Sequence, residues 1–328
     1  MRTTWVGLML LAMGAAAAAQ DSAPSSFNLL DGERVPAILA EDPQGDPSRQ
    51  AQGQGKDKDQ SGDKSTSREY QEVIIRSGRL QEEALIGPYK QSEWTTHRRF
   101  STTRVYVQQP PGAVEFEHWI EIRVPKAGGK AQEVRMREEF EFGLGNRLQL
   151  DLYMLTEWTE DRQAQSNGQF EWRGWSAEVR WALADWNVIP GNPTLYFEYI
   201  FRNGDNDFIE PKILLGGEIA SGWHWGVNFV YEQDLSESHF RDVEIKITGG
   251  LSYTLIDSKL SIGPAFEATY ESEKTGPGIP AERSREFHFG PSIQFRPIPR
   301  AHINIEPLWG LTGESKRLKM FIIFGWDF

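Results

Sequence analysis

The chain has 328 residues, a formal net charge of −12 and no cysteine. A protein with a pI of about 5.1 lacks the basic surface that non-specific nucleic-acid binding needs, which excludes nucleic-acid partners. Any stability after export must come without disulfides. The mean hydropathy of −0.53 and the lack of a long apolar run beyond the N-terminus exclude membrane helices there, but not alternating barrel strands.

Residues 1–19 have the features of a secretory signal peptide. Arg2 supplies the positive charge, residues 5–15 form the apolar core, and three consecutive alanines ending at Ala19 offer a cleavage site. We therefore expect this segment to direct export and to be removed. An uncleaved anchor is the alternative, which the short apolar core disfavours.

The next part of the chain is polar. Residues 20–68 carry too few apolar side chains to fold, which predicts a disordered linker. Residues 69–86 place apolar side chains at roughly helical spacing, which predicts a short amphipathic helix. Residues 97–109 are predicted to be extended. Together we expect residues 69–110 to form a periplasmic or plug-like segment.

From residue 113 onward, segments of about ten residues alternate apolar and polar side chains and are separated by turn signals. Many evenly spaced alternating strands are typical of a barrel or a sandwich. The predicted strands are 113–124, 133–144, 147–158, 170–183, 194–202, 208–219, 223–233, 241–255, 259–271, 284–296, 301–311 and 317–328.

The ends of the apolar faces favour the barrel. Trp, Tyr and Phe often stand there, as in the aromatic girdles of membrane barrels. The connections after odd-numbered strands are mostly longer and more polar than those after even-numbered strands, as in outer-membrane barrels. The sequence therefore predicts an all-β fold for residues 111–328, a transmembrane antiparallel up-and-down β-barrel of about 12 strands. Its predicted location is the bacterial outer membrane, with both termini in the periplasm.

The last strand places apolar or aromatic residues at alternate positions before a terminal phenylalanine. It resembles the C-terminal assembly signal of bacterial outer-membrane β-barrel proteins. The resemblance implies insertion by the outer-membrane assembly machinery. The residues that carry the signal are Phe324, Trp326 and Phe328.

The hairpin at residues 139–152 is similar to one in the phenol-degradation-type family of outer-membrane transporters. Glu139, Phe142-Gly143-Leu144 and Asn146-Arg147-Leu148 carry this resemblance, which covers about one hairpin and implies a transport role. The alternative is that Gly-Asn is simply a favourable pair for a tight turn.

The inward faces of the predicted strands carry more acids than bases. An open lumen of this charge should favour cations. Twelve strands lie between the filled barrels of eight and the open channels of sixteen or more, which leaves open whether a pore exists. The predicted lumen-lining residues are Glu115, Glu117, Glu121, Glu139, Glu141, Glu198, Glu210, Glu244, Glu306, Arg135, Arg137, Arg202, Lys212 and Lys246.

The register of the first hairpin predicts that acidic side chains of its two strands face each other. A turn near residue 128 sets Glu117 opposite Glu139 and Glu115 opposite Glu141, and like charges directly opposite are destabilising. A cation, Arg137 or a shifted pKa would have to relieve them. The functional hypothesis is a cation-attracting constriction, and the alternative is a solvated or salt-bridged lumen.

A basic part of the N-terminal segment is a further candidate for relieving that conflict. If it entered the barrel it would neutralise the acids and act as a plug. The candidate plug residues are Arg98, Arg99 and Arg104.

The same register places His118 and Glu138 opposite each other on the otherwise apolar outer face. Ionisable groups facing hydrocarbon are costly and usually functional. They could mark an oligomer interface, or a lipid-facing catalytic set that lacks a nucleophile. A bulge that turns His118 inward is the remaining alternative.

The favoured function is an outer-membrane channel or transporter for a small solute through a charged, net acidic lumen. The alternatives are a barrel enzyme that modifies lipid and a structural or adhesive barrel. No catalytic set, metal site or cofactor is predicted. The expected partners are outer-membrane lipid, the assembly machinery and an unidentified small solute, and a homo-oligomer is left open.

Overall fold

The computed structural model describes residues 80–126, 131–161, 168–235, 242–273 and 280–328. The predicted signal peptide, the linker and the first part of the predicted helix lie outside the described residues. Two short strands, β1 (Leu85–Ile86) and β2 (Gln91–Ser92), and two 3-10 helices, Gln81–Glu83 and Glu93–Thr96, precede the long strands. None of the helices in the described ranges is long and apolar enough to cross a membrane.

The described chain closes into a barrel of twelve antiparallel strands, which confirms the predicted fold class. Neighbours in the sequence pair with each other, and β14 pairs with β3 from Leu318 opposite Val124 to Asp327 opposite Glu115. The strand ends differ from the prediction by only a few residues. The strands are β3 Val114–Val124, β4 Ala131–Gly145, β5 Leu148–Asp161, β6 Gln169–Ala182, β7 Thr194–Arg202, β8 Phe208–Ala220, β9 Trp223–Asp234, β10 Val243–Ile256, β11 Leu260–Glu273, β12 Glu282–Ile298, β13 Ala301–Gly310 and β14 Leu318–Asp327.

Alternation along each strand separates an apolar outside from a polar inside. In β7, Phe197 is 49% exposed, whereas its neighbours Tyr196 and Glu198 are each 4% exposed. Closure pairs the backbone groups of every strand, and large exposed apolar side chains are favourable against hydrocarbon and costly against water. The barrel wall therefore spans a membrane, and a soluble sandwich is excluded.

The last strand follows the same rule. Phe324 faces outward and is 40% exposed, and the terminal Phe328 is 71% exposed. Trp326 lies on the same face and pairs with Phe116 of β3 across the seam where the barrel closes. Their role as an assembly signal stays a prediction.

His118 and Glu138 face outward and lie directly opposite each other in β3 and β4. The His118 Nδ1 and Glu138 Oε1 atoms are 2.9 Å apart, so each ionisable group has a partner on the apolar face. The pairing of β3 with β4 runs without a shift from Val114 to Arg123. The bulge that would turn His118 inward is therefore wrong.

One end of the barrel, the turn end, carries the turns that follow β4, β8, β10 and β12. These turns are short, but residues 183–193, which follow β6, form a longer connection as the sequence shows. Its Trp186 packs edge-on against Tyr106 at 5.2 Å and Trp94 at 5.8 Å between ring centroids. This long turn thus covers part of the chain that precedes the barrel.

Residues 80–110 form the inner segment, of which residues 91–109 are buried inside the barrel and residues 80–90 lie at the turn end, with Leu85 49% exposed. The predicted helix is wrong for its described part, which makes only the 3-10 turn Gln81–Glu83. Residues 97–109 are not a regular extended strand, and Tyr106 adopts a left-handed backbone with φ of 60°. Contacts with the barrel wall, rather than a repeating backbone pattern, set the path of this segment.

Three glycines form a seat for the inner segment. Gly216, Gly226 and Gly250 are neighbours in register on β8, β9 and β10, and their Cα atoms face the lumen. The side chains of Phe100 and Val105 pack against this row. A Cβ on Gly250 would collide with the ring of Phe100. The absence of a side chain on the wall at this position therefore allows the segment to pack there.

The packing of Phe100 on the glycine seat can be tested with a disruptive substitution and a second substitution that rescues it. Gly250→Leu should displace Phe100 and expose the buried arginines of the inner segment to trypsin, and Phe100→Ala in the same chain should restore protection. The measurement is the rate of tryptic cleavage at Arg98, Arg99 and Arg104 in the folded barrel.

Gly313→Val is the matched control, because a Cβ at Gly313 meets nothing within 4 Å. Equal cleavage rates for wild type and Gly250→Leu, or no rescue by Phe100→Ala, would show that the seat does not hold the segment.

The contact between His118 and Glu138 on the outer face predicts that a single and a double variant differ in stability. His118→Leu leaves the Glu138 carboxylate alone against hydrocarbon and should destabilise the barrel by about 1–3 kcal/mol. Replacing both residues by Leu should restore stability, because an apolar pair needs no partner there. Denaturant unfolding in lipid vesicles measures the difference, with Ile120→Leu as the control, and a double variant less stable than His118→Leu contradicts the argument.

Candidate functional site

A carboxylate cluster lines the lumen near the turn end. Its members are fully buried because inward positions on adjacent strands meet directly, as Glu141 meets Asp151 and Asp151 meets Glu178. The predicted opposition of Glu117 with Glu139 and of Glu115 with Glu141 is present. Among the described residues the cluster comprises Glu115, Glu117, Glu139, Glu141, Asp151 and Glu178.

Arg98 of the inner segment enters this cluster. Its Nε atom is 2.8 Å from both carboxylate oxygens of Glu117. Its Nη2 atom contacts Glu117 and is 3.3 Å from Glu139 Oε2 and from Glu141 Oε1. One guanidinium therefore bridges the opposed acids of β3 and β4.

Arg104 reaches the same acids from a second direction. Its Nη1 atom is 2.7 Å from Glu141 Oε1, and its Nη2 atom contacts Glu139. Burial alone would lower the pKa of Arg104, but the carboxylates of Glu139 and Glu141 outweigh burial and hold that pKa well above its usual value. Arg104 is therefore a permanent positive charge inside the lumen.

The barrel wall supplies one more arginine to the cluster. Arg180 of β6 lies 2.6 Å from Asp151 through its Nη2 atom and contacts Glu178 through Nε. The Gln108 Oε1 atom accepts hydrogen bonds of 2.8 Å from Arg104 and from Arg180. Gln108 thus joins the arginine of the wall to that of the inner segment.

Trp119 gives the arginines an aromatic surface. The Arg98 guanidinium lies 4.1 Å from the ring centroid of Trp119, a distance at which a cation is attracted to the ring. The Trp119 indole donates hydrogen bonds to Glu117 at 3.0 Å and to Glu139 at 2.9 Å. The ring therefore positions both the acids and the cation that pairs with them.

Arg99 points away from the cluster, whereas His97 lies beside its member Glu115. Arg99 Nη2 lies 3.0 Å from Glu82 Oε2, so this arginine pairs within the inner segment and not with the cluster. Burial lowers the pKa of Arg99 and, more strongly and with help from Arg296, the pKa of His97. The His97 imidazole is therefore neutral.

Hydrogen bonds also hold the inner segment to two further strands of the barrel, β13 and, opposite β3, β9. Glu306 of β13 accepts from the Ser101 backbone N at 3.0 Å and from the Thr102 hydroxyl at 2.7 Å. Asn228 of β9 accepts from the Arg104 backbone N at 2.7 Å and donates to the Arg104 carbonyl at 2.8 Å. The segment is thus bonded across the whole width of the lumen.

Most of the other predicted lumen residues contact neighbouring side chains rather than the cluster. Glu121 Oε1 is 2.6 Å from Arg123, and its Oε2 is 3.9 Å from Arg137. Further contacts are Arg135 with Glu133 at 3.4 Å, Lys212 with Glu210 at 2.6 Å, Lys246 with Glu244 at 2.6 Å, Glu198 with Tyr196 at 2.6 Å and Arg202 over the Phe208 ring at 3.9 Å.

Sequence reasoning missed residues that matter here. Gln108 and Phe100 lie in the inner segment, where no repeating pattern assigns a direction to a side chain. Trp119 carries a usable signal, because an inward tryptophan two residues after Glu117 interrupts a polar face. The glycine seat could have been found by aligning the inward positions of β8, β9 and β10.

The solved structures that are similar to this chain include three bacterial channels and porins. The COG4313 outer membrane channel from Pseudomonas putida F1 has a TM-score of 0.53 and 11% identity, over 68% of this chain and 98% of the channel. The KdgM porin has a TM-score of 0.42 and 11% identity, over 65% of this chain and 99% of the porin. The NanC porin has a TM-score of 0.41 and 14% identity, over 66% and 99%.

No family model and no curated protein matches the sequence, so the phenol-degradation-type resemblance stays a hypothesis. The first of the three structures shares the barrel fold with this chain. A closed antiparallel barrel with an apolar exterior is the architecture with which bacterial outer-membrane proteins cross the bilayer. The chain is accordingly a bacterial outer-membrane β-barrel of twelve strands in its described residues.

Proposed function

We propose that the protein is an outer-membrane channel for small solutes that the inner segment closes. The observation that carries the proposal is the double salt bridge of Arg98 and Arg104 to acids on the barrel wall. The cavity left between these arginines and the rest of the inner segment is about 10 Å³, room for about one water molecule. The segment is also bonded to β3, β9 and β13, and on this proposal solute passes only when the segment moves.

The charge of the wall supports a preference for cations. With Arg98 and Arg104 in place, each opposed pair of acids has a positive partner. When both leave, the partners that the described residues offer the carboxylate cluster are Arg180 and, at Glu115 and Glu117, His302. A lumen with that excess of negative charge attracts cations and repels anions.

The fold alone does not assign transport, because the same architecture serves many functions. The proposal therefore depends on the inner segment and its charges. No observation favours the lipid-modifying or the adhesive alternative. In the described part of the chain, His118 is hydrogen-bonded to Glu138 and to no hydroxyl group that could act as a nucleophile.

The proposal predicts that Arg98→Ala with Arg104→Ala opens the lumen. Removing both cations leaves the acids of the wall unpaired, at a cost of about 3–5 kcal/mol for each broken buried pair, which the barrel relieves by releasing the segment. We expect wild-type protein in planar bilayers to conduct little, and the double variant to conduct at least ten times more with cation selectivity. Single-channel recording in a potassium chloride gradient gives both quantities.

Arg135→Ala is the matched control, because Arg135 lines the lumen but pairs with Glu133 rather than with the cluster. Its conductance should equal that of the wild type. A double variant that neither conducts nor admits small solutes into liposomes would refute the channel proposal.

A further inference from the structure

The seam that closes the barrel carries a second conflict of charge. Asp327 of β14 and Glu115 of β3 are direct partners in register and share the inward face. Like charges in that position repel and need a cation between them. His97 of the inner segment is the group that approaches Asp327.

The spacing of the donor atoms is that of metal ligands. His97 Nδ1 and Asp327 Oδ2 are 3.5 Å apart, longer than an ordinary hydrogen bond. Two ligands about 2.1 Å from one tetrahedral zinc ion stand about 3.4 Å apart. One donor atom from each of His97, Glu115 and Asp327 lies within 4.8 Å of the other two.

We propose that His97, Glu115 and Asp327 bind a divalent transition-metal ion, and that this ion is Zn²⁺. An imidazole nitrogen with two carboxylate oxygens is a ligand set that zinc accepts, and water completes the tetrahedron. The ion adds positive charge beside Asp327, because His302 already pairs with Glu115. Ca²⁺ and Mg²⁺ are disfavoured, because these ions prefer oxygen ligands and this site includes a histidine nitrogen.

Neighbouring residues hold the ligands in place. Glu115 Oε1 is 2.7 Å from His302 Nε2, and Glu115 Oε2 accepts a hydrogen bond of 2.6 Å from Gln109. His302 Nδ1 is in turn 2.8 Å from Asn304 Oδ1. Such outer contacts orient metal ligands and are a regular part of metal sites. The Asp327 side chain is 27% exposed, which leaves a path for the ion and room for a water ligand.

The site joins three separate parts of the fold. Glu115 belongs to the first barrel strand, Asp327 to the last, and His97 to the inner segment. A bound ion would therefore fasten the inner segment to the seam of the barrel. Metal binding needs the segment inside the lumen but does not require transport, so the inference stands apart from the proposed function.

The test uses full-length protein in detergent after treatment with a chelator. Zn²⁺ titrated by calorimetry should bind one ion per chain. His97→Ala and Asp327→Asn should each weaken the Kd at least tenfold, and His118→Ala, which removes a histidine on the outer face, should leave it unchanged. Circular dichroism of each variant confirms that the barrel is folded.

Co²⁺ provides a readout that does not depend on affinity. A tetrahedral site with one nitrogen ligand should give visible absorption bands in the wild type that are lost in His97→Ala and kept in His118→Ala. Absence of stoichiometric Zn²⁺ binding, unchanged binding in both ligand variants, or equal binding of Ca²⁺ would each overturn the proposal. Conductance is not measured, so this outcome is independent of the channel proposal.

Discussion

The salt-bridged carboxylate cluster is the interaction on which the rest of the structure depends. Adjacent strands bring Glu117, Glu139 and Glu141 together with no exposure to solvent, and an unpaired buried carboxylate costs several kcal/mol. Arg98 and Arg104 relieve that cost from the inside of the barrel. The wall and the inner segment therefore stabilise each other, and neither has its observed charge balance alone.

The sequence predicted the parts of the structure that local rules decide. A strand period of two and turn residues set all twelve strands, and one short hairpin fixed the register of Glu117 against Glu139. For the inner segment, the sequence left open whether it lies in the periplasm or inside the barrel, because the acids that hold Arg98 are far from it in the sequence. The helix predicted for residues 69–86 was wrong in its described part, where a 3-10 turn is followed by β1 and where the side chains of Glu82 and Glu83 accept hydrogen bonds from Thr254 and Gly222.

The proposed metal site could not have been predicted from the sequence, for a related reason. His97, Glu115 and Asp327 have no motif spacing, and only closure of the barrel makes the first and last strands neighbours. The outward His118 and Glu138 were the opposite case. Hairpin register alone placed them correctly, and their conflict with an apolar face is the kind of local inconsistency that marks a specialised position.

The inner segment enters and leaves by the same rim. It begins where the backbone N atoms of Gln81 and Glu82 bond to Asp257, and it ends where Gly112, with φ of 81°, bonds to Gly143, both at the turn end. In its described residues it is therefore a loop with both ends at one opening of the barrel, and it does not run through the lumen to the other end. Its described residues form no strand pairing with the barrel, so withdrawal of the segment would leave the pairings of the barrel wall intact.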